Sequence, residues 1–209
     1  MTNIFFLDYE TTGLNPYSSE VIEIAIKKMG NKTSYNELVI PTRKYGPYRY
    51  VSPKITEITT ITDELLESEG TSLEEAVRGM IDYIVANSVD GIPIYIVAHF
   101  GTMFDFIIFR KLMKSVKQTR QISMMLENTF YIDTVLFARL ISKDESVSQA
   151  RLCQRYNVTN VAAHRAYGDI QALEEIYEKI CLEYSYFKGH TLNYYIHHPE
   201  EINKDIYLI

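Results

Sequence analysis

Apolar positions along the 209-residue chain gather into short, dense runs divided by turn residues. The first run, Ile4 to Leu7, stops at Asp8, and four consecutive apolar residues predict a buried strand. Val21 to Ile26 is rich in branched residues and loosely alternating, and Tyr35 to Ile40 ends at Pro41, so both read as strands, with Asn31 and Lys32 in a turn between them. Three strands in succession predict a meander opening a sheet. Ile94 to Ala98, bounded by Pro93 and His99, has the unbroken apolarity of a central strand.

Helical spacing follows Asp63 and resumes after Ser72, which stands three residues before Glu75 as in a capping box. Phe104 to Val116, Ser148 to Tyr156 and Ile170 to Tyr184 also repeat at helical period. Residues 41–52, PTRKYGPYRYVS, read as a long loop. Residues 189–209 have no clear period. The expectation is one α/β domain over residues 1–184, followed by an irregular tail or docking segment.

Hydrophobic residues make up 46% of the chain and charged residues 23%, as in ordinary globular proteins. No basic segment precedes the first apolar run, and no apolar stretch approaches the ~18 residues of a membrane span. A soluble intracellular protein without a membrane partner is expected. Cys153 and Cys181 lack metal-ligand spacing and read as reduced thiols. A net charge of −6 argues against non-specific coating of nucleic acid, yet suits a nucleic-acid enzyme whose acids hold cations.

The candidate chemistry begins in LDYETTGL, residues 7–14. Strand alternation puts Asp8 and Glu10 on one side and Tyr9 on the other. Either the two acids share a cation, or the strand simply surfaces into the polar turn Thr11-Thr12-Gly13. Further acids at element ends favour the cation. Asp105 closes AHFGTMFD after the central strand, and Asp169 closes AHRAYGD with His164 five positions earlier. Gly168 predicts a helix beginning near Asp169, leaving His164 on an entry loop. Oxygen ligands without a Cys or His cluster favour Mg²⁺ or Mn²⁺ over Zn²⁺. Two such ions would serve phosphodiester hydrolysis, with a histidine taking the proton from water. The constellation describes a metal-dependent nuclease.

The segments Asp8 to Leu14, His99 to Asp105 and His164 to Asp169 resemble the three motifs of the DEDDh, DnaQ-like 3′→5′ exonucleases, over about residues 3–184. The resemblance implies an RNase H-like α/β fold, a central mixed sheet flanked by helices. It implies that Asp8, Glu10 and Asp169 hold one metal, that Asp8 and Asp105 hold a second, and that His164 is the general base. It also points to backbone groups at Thr11 and Thr12 as holding the 3′-terminal nucleotide and to Leu14 as a wedge against its base. Two departures stand out. Phe100 replaces an asparagine found in many relatives, and Ile58 to Asp63 only partly matches their His-Gly-Ile-Thr segment.

The function implied is release of nucleoside 5′-monophosphates from single-stranded or frayed 3′ ends, DNA being favoured over RNA. An exoribonuclease, or a binding module without catalysis, is the alternative, and a polymerase or repair assembly is a candidate partner. His99 reads equally as a substrate contact or as a hydrogen-bonded residue at a strand end. Arg43 to Tyr50, RKYGPYRY, could neutralise phosphates and stack bases or be an ordinary exposed loop. The basic stretch from Arg110 to Arg120 reads as a complement to a helix dipole.

Overall fold

A computed structural model describes residues 2–42, 50–117, 119–142 and 146–207. The loop RKYGPYRY therefore lies, apart from Tyr50, outside the described residues. The sheet runs β3-β2-β1-β4-β5. β1 (Asn3–Thr11), β2 (Val21–Lys28) and β3 (Tyr35–Leu38) form the expected antiparallel meander. β4 (Ile94–Ala98) and β5 (Thr129–Asp133) add to β1 in parallel, making the sheet mixed. Between β3 and β4 lie α1 (Pro53–Thr59), α2 (Asp63–Glu69) and α3 (Leu73–Asn87), the last entered through the Ser72–Glu75 capping box. α4 (Asp105–Ser115) and α5 (Arg120–Glu127) connect β4 to β5. Then come α6 (Thr134–Ile141), α7 (Gln149–Tyr156), α8 (Ala166–Lys188), α9 (Leu192–His197) and α10 (Pro199–Tyr207).

The parity of β1 organises both faces of the sheet. Phe5, Leu7 and Tyr9 enter a core with α3 and α4, whereas Ile4 and Phe6 enter a second core with α6 and α8. Asp8 and Glu10 continue the second register, so the strand aims them at the face covered by α8. In that core Tyr177 of α8 meets Phe6 and Phe137 at ring-centroid distances of 5.6 and 6.0 Å.

Several elements depart from expectation, among them α1, where no helix is expected before Asp63. β5, α5 and α6 occupy residues 120–141, where no regular element is expected from the sequence. β3 stops at Leu38, although Val39 still bridges to Thr71. The stretch expected to be irregular from residue 185 continues α8 to Lys188 and then forms α9 and α10. Gly189 ends α8 in the left-handed region at φ 76°, and Thr191 caps α9. These helices have 6 and 9 residues, too few turns to display a period. They nevertheless bury Tyr195, Ile202 and Ile206 in the α8-side core. Asn203 Nδ2 donates to the Tyr131 carbonyl on β5 at 2.6 Å, and the Tyr184 hydroxyl pairs with Asp205.

Ile202 is fully buried, so truncation to alanine removes apolar contact and leaves a cavity. Ile202→Ala is expected to lower stability by about 3 kcal/mol. Urea unfolding would register this as a lower midpoint at unchanged slope; a loss below about 0.5 kcal/mol would show that α10 is not part of the cooperative core.

Candidate active site

The C-terminal ends of β1 and β4 and the start of α8 converge on a cleft of about 650 Å³. Its lining includes Asp8, Glu10, Asp105, His164 and Asp169, together with Leu14, His99 and Phe100. Asp8, Glu10 and Asp169 each offer a carboxylate oxygen within 4.8 Å of the others. Asp105 is the first residue of α4 and is buried, and its Oδ1 has no hydrogen-bond partner. An orphaned acceptor in such a position is costly unless something positive meets it.

Burial and mutual repulsion push these acids toward protonation. Asp8 is raised well above the ordinary carboxylate range by burial, then by the charges of Asp105, Asp169 and Glu10. Glu10 is pushed up to about 8 by burial first and by Asp169 and Glu23 next. Burial also raises Asp105 and Asp169. Oxygen donors concentrated without matching cationic side chains fit a hard divalent ion.

The α8 entry is built around Asp169. Its Oδ1 accepts from Asn160 Nδ2 at 2.6 Å and Gln149 Nε2 at 3.2 Å, and its Oδ2 accepts from the His164 backbone N–H at 2.9 Å. α8 begins at Ala166, three residues before Asp169, and His164 lies ahead of it at φ 63°. Gly168 permits the packing, because a Cβ there would stand 2.4 Å from the Ala162 carbonyl oxygen.

Two buried acids missed by sequence reasoning brace the cleft from behind. Glu23, opposite Glu10 on β2, is inaccessible to solvent. It accepts from Arg165 Nη2 at 2.8 Å, from Arg165 Nε at 3.1 Å and from the Ala166 backbone N–H at 2.9 Å. It thereby ties the residues after His164 to the sheet. Its signal was a lone acid inside the apolar run Val21 to Ile26. Asp133 ends β5 and caps α6, accepting from Val135 N at 2.9 Å while holding the turn after β4 through Phe100 N at 3.2 Å and Thr102 N at 2.9 Å. No expected strand marked it.

The other candidates divide. Leu14 and His99 line the cleft, whereas Thr11 and Thr12 are absent from its lining. The Thr11 hydroxyl donates to the Gly13 carbonyl, and the Thr12 N–H donates to the Glu20 carbonyl. His99 Nδ1 pairs with Thr134 Oγ1 at 2.9 Å, and burial lowers its pKa to about 4. That favours the hydrogen-bonded strand-end reading for its Nδ1 side while its ring still borders the cleft. On α4, Lys111 Nζ reaches the Tyr17 carbonyl at 3.4 Å, a contact outside the dipole interpretation.

The RNase_T family model, described as Exonuclease, matches residues 5–177. The chain belongs to the exonuclease family. The family consists of phosphodiester hydrolases, and the DnaQ-like resemblance of the three motifs agrees with it. Among curated relatives, DNA polymerase III PolC-type of Thermotoga maritima is 32% identical over 174 residues, covering 82% of this exonuclease-family chain and 11% of the relative. Exonuclease DPD1, chloroplastic/mitochondrial, of Arabidopsis thaliana is 25% identical over 193 residues, covering 88% and 57%. The chain thus spans about a tenth of the PolC-type relative and little more than half of the plant one.

Solved structures share the fold. E. coli exonuclease I in complex with a dT13 oligonucleotide superposes with a TM-score of 0.66 at 18% identity, covering 88% of this chain and 41% of that one. Exonuclease X in complex with 5′ overhanging duplex DNA gives 0.59 at 19% identity, covering 97% and 98%. These likenesses support the RNase H-like exonuclease fold. Among the described residues, no helix is long and apolar enough to cross a membrane.

Because burial pushes Glu10 from its ordinary 4.5 up to about 8 in the folded metal-free protein, the folded state holds the extra proton between those values. Stability of the metal-free protein should therefore fall as pH rises from about 5 to 8 and level off above. A divalent cation must displace that proton, so its stabilising shift in melting temperature should be larger at pH 8 than at pH 6. Calorimetry with and without Mn²⁺ checks both trends; equal shifts at the two pH values would contradict this electrostatic account.

Arg165→Met would leave the Glu23 carboxylate buried without its cation. The expected loss is about 2 kcal/mol, below the ~3–5 kcal/mol of a fully buried pair because the Arg165 side chain is 31% exposed. Adding Glu23→Gln should restore part of it in a denaturant double-mutant cycle.

Proposed function

We propose that the chain is a metal-dependent 3′→5′ exonuclease acting on single-stranded or frayed DNA and releasing nucleoside 5′-monophosphates. The observation that carries this reading is the convergence of Asp8, Glu10, Asp105 and Asp169 with His164 in one cleft. Asp8, Glu10 and Asp169 would hold one divalent cation, and Asp8 with Asp105 would hold a second, of the Mg²⁺ or Mn²⁺ type. The orphaned Asp105 Oδ1 and the crowded, incompletely neutralised carboxylates fit such ligands. The chemistry supplied at such a centre is stabilisation of negative charge on the attacking and leaving oxygens of an in-line displacement.

The chain's own residues do the rest. His164 is the general base: its imidazole borders the cleft from a loop fixed by the bond from its own N–H to Asp169, and it accepts the proton of the attacking water. Leu14 stands at the mouth to meet the terminal base. DNA is favoured because the relatives include a DNA polymerase and exonucleases named in complex with DNA. The PolC-type relation also supports work within a polymerase or repair assembly.

Digestion of 5′-labelled single-stranded DNA should give a ladder shortening from the 3′ end with Mg²⁺ or Mn²⁺ and none with EDTA. Asp8→Asn and His164→Ala should each lower the rate at least about 100-fold, the scale of a lost general base. A well-folded wild-type protein that shortens neither DNA nor the matching RNA would overturn the enzyme reading in favour of a binding module. Faster loss of RNA would reassign the substrate.

A further inference from the structure

The turn after β4 carries an aromatic residue in an unusual place. Phe100 has φ 63°, the left-handed region that non-glycine residues other than Asn, Asp and His seldom occupy. The turn fixes it there. Asp133 holds the N–H groups of Phe100 and Thr102, and a Cβ on the intervening Gly101 would meet the Phe106 ring at 2.6 Å. Despite this restraint the side chain is 53% exposed, and among the described residues it belongs to none of the core clusters. Instead it lines the acidic cleft together with Leu14, which is 92% exposed on the loop after the neighbouring parallel strand β1.

A strained backbone that presents a half-exposed ring beside four acids gains little for folding by apolar burial. Such a ring is suited to a planar apolar partner that arrives with the substrate. We propose that Phe100 is a stacking platform for one of the last two nucleobases of a 3′ end, and so a specificity residue for unpaired ends. The proposal rests on the exonuclease reading of the cleft. A base inside a duplex already has both faces stacked, whereas a frayed or single-stranded end offers a free face. Because every nucleobase has such a face, stacking selects unpaired ends with little regard to sequence.

The test is a cycle between protein and substrate. Wild type, Phe100→Ala, Phe100→Asn and Phe100→Tyr would act on 5′-labelled oligonucleotides carrying either natural bases or an abasic site at the last or the penultimate position. Removing the contacted base should lower wild-type kcat/KM about 10- to 100-fold, the range of a lost base–aromatic stack. Phe100→Ala and Phe100→Asn should show a similar loss on the natural substrate, chiefly through KM, and Phe100→Tyr should recover it. The two losses should not add: Phe100→Ala on the matching abasic substrate should be no worse than either change alone.

Additive losses at both positions would overturn the proposal. So would a Phe100→Asn protein whose melting temperature falls sharply and whose rate drops equally on every substrate, since that is a structural role. Absence of metal-dependent shortening by the wild type would instead remove the exonuclease reading itself.

Discussion

Repulsion between carboxylates is the constraint on which this architecture turns. Asp8, Glu10, Asp105 and Asp169 come from one strand and two helix starts, and burial first, then at Asp8 and Glu10 the charges of their neighbours, raise their protonation range. Water would separate such groups, so the fold must hold them together by other means. The rigid register of β1 sets the first two, the helix that follows β4 sets the third, and the α8 core packed on Phe6 sets the fourth. Hydrogen bonds from Asn160, Gln149 and the His164 backbone reach only Asp169, leaving Asp105 Oδ1 bare. The oxygen donors are thus held in place by the scaffold, and a cation that displaces their protons finds them already gathered.

Behind that set stands a second layer of acids with the opposite character. Glu23 and Asp133 are buried but well supplied with donors, and each ties a neighbouring segment to the sheet. Glu23 secures the entry to α8, and Asp133 secures the turn after β4. The cleft is therefore unsatisfied in front and satisfied behind. The two layers touch where Glu10 and Glu23 face each other across β1 and β2.

What the sequence made legible follows from this division. The meander, β4, the long helices and the five acid and histidine positions were readable because apolar runs and motif spacing carry them. β5 was not, since TFYID is five residues long and ends in the acid that caps α6. Asp133 was lost with it, because a bracing residue is defined by what it touches across 31 to 33 positions of chain. Thr11 and Thr12 were assigned by motif position alone, and local turn bonding takes up the Thr11 hydroxyl and the Thr12 N–H. The terminal helices escaped notice because their burial depends on α8 and β5, partners far from them in sequence.

The position of α10 against β5 has a further consequence. β5 is an outer strand of the sheet, and the edge of a sheet is a template on which foreign strands can pair. Asn203 occupies the Tyr131 carbonyl, and Ile202 and Ile206 hold the helix in the core beside it. The last helix thus covers part of the outer edge of β5, filling a carbonyl on which a foreign strand would otherwise pair.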